Sequence, residues 1–91
     1  MINEDFVQLV GKLQEKAQRK LPIIKTTIDV FISKKITDKI EIEHALDTLL
    51  DYVLLDVGKE EFKRLNKYYE SVNKDHADFY WHSYRDLLDL E

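Results

Sequence analysis

The chain contains no cysteine, which removes disulfide bridges, thiolate metal sites and cysteine nucleophiles in one step. One proline and two glycines are too few for linker-like or low-complexity structure, and they leave no glycine-rich loop to cradle a phosphate. No apolar run approaches the roughly 20 residues that a membrane-spanning helix needs. The opening residues MINEDF carry acids where a secretory segment carries Lys or Arg, so a cytoplasmic protein that does not engage a membrane is expected. Ser33, Ser71 and Ser83 lie in ordinary helical surroundings, without the strained turn and oriented base that would make a serine nucleophilic. The reading is therefore a chain that is not an enzyme, with no cofactor and no small-molecule substrate.

What is present is apolar and charged in nearly globular proportion. Of the 91 residues, 44% are hydrophobic and 35% charged, and a chain of that length buries roughly 65% of its unfolded surface. One domain spanning residues 1–91 is expected, rich in helix and short in its connections. The net charge of −4 is unevenly spread. Residues 1–35 hold seven Lys/Arg against four Asp/Glu, +3; residues 36–57 hold one against six, −5; residues 58–91 hold six against eight, −2. Such polarity can align a partner or a second copy head to tail, within the limits of salt screening.

Hydrophobic periodicity supplies the elements. After Asn3, a capping residue, Phe6, Leu9, Val10, Leu13 and Ala17 recur at the spacing of one helical face, extended by Ile2 and Leu21, while Lys12, Glu15, Lys16 and Arg19 take the other side. Pro22 is expected to end this first helix and open a second. The stretch LPIIKTTIDVFISKK reads two ways. Ile24, Thr26, Ile28, Val30 and Ile32 alternate as a strand would, but Ile23, Ile24, Ile28, Phe31 and Ile32 also form a broad helical arc. A strand would need residues 36–42 as its partner, with no turn chemistry between them and little stability as an isolated hairpin. Helix is favoured, with an α+β fold carrying a hairpin at about 23–42 as the alternative.

The third helix starts at Thr37 or Asp38, with Glu41 placed as in a capping box. Its inward stripe is Ile42, Ala45, Leu46, Leu49, Leu50, Val53 and Val57, and Gly58 is the expected stop. A fourth helix turns Phe62, Leu65, Tyr69 and Val72 inward and Lys63, Arg64 and Lys67 outward. A fifth, capped by Asn73 or Asp75, gathers Ala77, Tyr80, Trp81, Tyr84, Leu87 and Leu88 on one side. The fold class is thus all-α, a compact bundle of four or five short helices with the third near its centre.

Two constellations resemble ligand sets. Glu41 and His44 have the Glu-x-x-His spacing of di-iron bundles, but those sites need the motif twice with two further Glu, all facing inward. Here it occurs once, on the face shared by Glu43, Asp47 and Asp51, and is read as a solvated acidic surface. Asp78, His82 and Asp86 stand at successive turns on a wet face, where surface ion pairing suffices to explain them. No metal is expected at either. Helix-turn-helix geometry is conceivable for the second and third helices. Yet the would-be recognition helix begins AspLysIleGluIleGlu, placing carboxylates where phosphates demand cations. Nucleic acid is disfavoured, and that alternative falls to the basic faces of the first helix (Lys12, Lys16, Arg19, Lys20) and the fourth.

Leftover apolar residues point to protein binding instead. Leu54 and Leu55 lie on the polar side of the third helix, and Phe79 and Leu90 lie off the inward stripe of the last. The functional expectation is a small non-enzymatic interaction module, of the inhibitor, immunity-like or adaptor kind, that binds a protein partner or forms a homo-oligomer. The expected contact residues are Glu43, Asp47, Asp51, Leu54, Leu55, Phe79 and Leu90.

Overall fold

The structure is a computed structural model that describes residues 4–89; Ile2, the Asn3 cap and Leu90 lie outside that range. It is an all-α bundle of four helices: α1 Glu4–Ser33, α2 Lys39–Val53, α3 Lys59–Val72 and α4 Lys74–Asp89. Among the described residues there is no strand, so residues 23–33 take the helical alternative and the hairpin at 23–42 does not form.

The expected break at Pro22 is also absent, because one helix of 30 residues runs straight through it. A proline inside a helix removes a backbone donor and crowds the carbonyl four residues earlier, at a cost of ~3 kcal/mol. That carbonyl belongs to Gln18, and both residues are exposed, so water can serve the oxygen. Downstream, Ile28 and Phe31 are buried in the core and Ile24 packs against it, which holds the helix in register past the defect. Replacing Pro22 by Ala restores the missing hydrogen bond. Chemical denaturation should then show a gain of ~1–3 kcal/mol, and an unchanged midpoint would mean that the proline is already accommodated without cost.

Two helices end in the same way. At the end of α1, Ile36 N donates to Phe31 O at 2.9 Å and Lys35 N to Ile32 O at 3.3 Å, with Lys35 at φ 52°. At the end of α2, Val57 N donates to Tyr52 O at 3.0 Å and Asp56 N to Val53 O at 2.9 Å, with Asp56 at φ 61°. Both are Schellman motifs, in which a left-handed residue satisfies the last carbonyls. The stop expected at Gly58 therefore falls earlier, on Asp56. Gly58 instead caps the start of α3 at φ 82°. A Cβ there would stand 3.2 Å from Leu49 and 3.4 Å from Leu21, so both backbone and space call for glycine. At the start of α2, Asp38 accepts from Glu41 N at 3.2 Å, the capping arrangement expected from sequence.

The core draws on every helix: Ile28 and Phe31 from α1, Ile42, Leu46, Leu49 and Val53 from α2, Phe62, Leu65 and Tyr69 from α3, and Tyr80 and Tyr84 from α4. Helices α2 and α3 each pack against all three others, so the expected central helix shares that place with its successor. Phe62 and Tyr84 stack with ring centroids 4.7 Å apart. Buried Asn66 ties α3 to α4 through Nδ2, which donates to the Ala77 carbonyl at 3.0 Å.

The N-terminal half of α1 departs most from the sequence reading. Ala17 is the first buried residue, and Phe6, Leu9 and Leu13 of the expected inward stripe are exposed, Phe6 at 62%. Gln14 Nε2 donates to the Leu55 carbonyl at 3.0 Å, which places the body of the bundle beside that turn of the helix. The longest dimension, 47 Å, matches the roughly 45 Å length of a 30-residue helix. The first part of α1 is an arm that reaches past the core.

Candidate functional site

The carboxylates of α2 do not simply face water. Glu43 is half-buried, and its Oε2 accepts hydrogen bonds from the Tyr69 hydroxyl of α3 and from His76 of α4, whose Nδ1 lies 2.7 Å away. One turn on, Asp47 Oδ1 accepts from the Tyr80 hydroxyl of α4 at 2.8 Å. The rings of Tyr69 and Tyr80 meet edge to face at 6.4 Å. Two acids at i, i+4 on one helix thus meet two donors at i, i+4 on another, with a third donor from the helix between them.

This geometry sets the acidity of the three groups. Burial raises the Glu43 carboxyl, but the hydrogen bonds from Tyr69 and His76, with the charges of His76 and Lys39, outweigh it and leave the group below the ordinary carboxylate range. Burial, the hydrogen bond to Glu43 and its charge push the Tyr69 phenol well above its usual value. Tyr80 moves the same way through burial and Asp47. A carboxylate that accepts from two donors is held ionised, and phenols that donate to carboxylates are held protonated. Chemically the cluster fastens α2 to α3 and α4; its hydroxyls are donors already engaged.

The expected contact residues separate accordingly. Glu43 and Asp47 belong to this network, which corrects their reading as purely solvated acids. Asp51 is exposed, Leu54 is 61% exposed, Leu55 is half-buried and Phe79 is 67% exposed with its ring edge-on to Tyr80. Leu90 lies outside the described residues. Glu41, His44 and His82 are exposed, and no group of three or more His, Asp or Glu is placed to hold a metal ion among the described residues.

Tyr69, Tyr80 and His76 were not marked as site residues by the sequence reading. One signal was available: at 100° per residue Glu43 falls about 20° from Leu50, at the border of the inward stripe rather than opposite it. Tyr68 likewise has a structural role, its hydroxyl donating to the Ile36 carbonyl at 2.6 Å.

Two shallow depressions along α1 and α2, of about 300 and 410 Å³, share Thr27, His44 and Ala45 and are bordered by exposed Ile23 and Ile40. A third, of about 360 Å³, lies between α3 and α4 beside Asn66 and Trp81. Two cations of the expected basic face of α3 stand against acids: Arg64 reaches Asp29 at 2.6 Å and Lys63 reaches Glu60 at 3.4 Å. No helix among the described residues is long and apolar enough to cross a membrane. No family model matches the chain, and no curated protein or solved structure matches it.

Proposed function

We propose that the chain is a small, non-enzymatic, cytoplasmic module that acts by binding protein. One observation carries this reading: α1 extends past the core and holds Phe6, Leu9 and Leu13 exposed on one face. Large apolar groups grouped along a helix lower their free energy by finding another apolar surface, whereas scattered ones need no such account. Exposed Leu54 follows from the same region, one residue from the Leu55 carbonyl that Gln14 engages. The use of Glu43, Tyr69, His76, Asp47 and Tyr80 to bind helices to one another supports a scaffold more than a reaction centre. For nucleic acid, the pairing of Arg64 and Lys63 with acids weakens the attraction that the basic face of α3 offers a phosphate backbone.

The test is photo-crosslinking in the native cell, with a photoreactive residue in place of Leu9, Leu54 or Phe79 and a control at exposed Gln18 on the polar side of α1. Protein adducts concentrated at position 9, with fewer at 18, are expected. Equal labelling at 9 and 18, or adducts made only of lipid or nucleic acid, would overturn the reading.

A further inference from the structure

The exposed face of α1 carries its own charge code. At 100° per residue, Phe6, Leu9 and Leu13 fall within an arc of about 60°, and Asp5, Lys12 and Lys16 line one edge of that arc within about 40°. The acid stands at the free end of the arm and the bases stand towards the body. We propose that this arm pairs antiparallel with the same arm of a second copy of the chain; this rests on the protein-binding reading and specifies its partner.

In an antiparallel pair each helix edge faces the same edge of its mate. A two-fold axis between Leu9 and Val10 brings Phe6 of each copy over Leu13 of the other. Asp5 then sits between the mate's Lys12 and Lys16. Parallel pairing would instead set this charged edge against the opposite edge of the mate, where Val10 and Gln14 offer the lysines no acid. The register also fits the available length. Residue 4 of one copy lies opposite residue 15 of the other, so the overlap of the described residues stops before Ala17, the first buried position of α1. Each body then stands at one end of the overlap, beside the turn where Gln14 engages Leu55.

The area available sets the strength. Half-exposed Phe6, Leu9 and Leu13 supply about 250–300 Å² per copy, which, even with lysine stems added, belongs to the weak and transient class of interfaces. The dimer is accordingly reversible. A membrane surface fits the arm less well, because anionic lipid favours bases along the whole polar face, whereas residues 4–20 hold four Lys/Arg against three Asp/Glu and begin with two acids.

Sedimentation equilibrium from low micromolar to near-millimolar concentration tests the pairing. The unaltered chain should move from monomer to dimer mass, and Leu9→Glu/Leu13→Glu should remain monomeric with unchanged thermal unfolding, since neither side chain is in the core. As a second variant, Lys12→Glu/Lys16→Glu should weaken the dimer at low salt and adding Asp5→Lys should restore it. A monomer at every concentration, or a dimer that survives Leu9→Glu/Leu13→Glu, overturns the pairing. If position 9 still crosslinks to a different protein, the protein-binding reading stands without it; if the arm binds anionic vesicles and crosslinks no protein, both fall.

Discussion

Phe62→Ala should lower the unfolding free energy by about 3–5 kcal/mol, the largest loss expected from any single side chain in this bundle. Phe62 is fully buried, and its ring stacks on Tyr84 with an interplanar angle of 9°. Truncation removes the transfer energy of the ring, opens a void between α3 and α4 and strips Tyr84 of its facing partner. Trp81 stacks on Tyr84 as well, with centroids 5.4 Å apart, so a shift of Tyr84 into the gap changes the surroundings of the indole. Denaturant titration followed by tryptophan fluorescence reads both effects, the shifted midpoint and the altered surroundings of the single Trp. A loss below about 1 kcal/mol would mean that α4 collapses onto the gap and that the stack contributes little.

The second large effect belongs to Glu43. Glu43→Ala withdraws the acceptor from Tyr69, whose ring is fully buried, and from His76. A buried donor left unpaired costs about 1–3 kcal/mol. Glu43→Gln keeps an oxygen for one donor and should cost less. The two variants should share a further trait, a flatter acid limb. Because its folded-state proton affinity is lower than that of the unfolded chain, Glu43 contributes in full above the unfolded value of about 4.3, and the contribution disappears as pH falls through the lower folded value. On the alkaline side Tyr69 and Tyr80 work in the opposite sense, being raised in the folded state. Their contribution is complete below about 10 and is lost as pH climbs above it. Tyrosinate absorbance should therefore contain a delayed component that Tyr69→Phe and Tyr80→Phe each reduce. Unchanged acid limbs in both Glu43 variants would remove the network from any account of stability.

Helix identity was legible in the chain because stripes such as Phe62–Leu65–Tyr69 need only local spacing to be recognised, and the Asp38 cap needs only three residues. Pro22 misled because its penalty is a local quantity while the packing of Ile28 and Phe31 that overrides it is not. Gly58 was recognised as left-handed but assigned to the wrong helix end, since Asp56 can take the same backbone region at modest cost. Glu43 was misplaced for a related reason: a polar residue at the edge of a stripe reads as wet unless its partners are known, and Tyr69 and His76 lie 26 and 33 residues away. The arm is the reverse case. Phe6, Leu9 and Leu13 spell an inward face, and nothing in their spacing tells whether the same molecule supplies the other side.

The continuity of α1 across residue 22 has a thermodynamic meaning for its free end. A detached peptide the length of the arm would hold little helix in water, because the first turn must be closed before any later one contributes. Here the part of α1 packed from Ala17 onwards supplies that starting turn, and the arm extends an existing template one residue at a time. Whatever docks on it meets an ordered ridge and so avoids most of the entropy loss that a disordered tail would incur on capture.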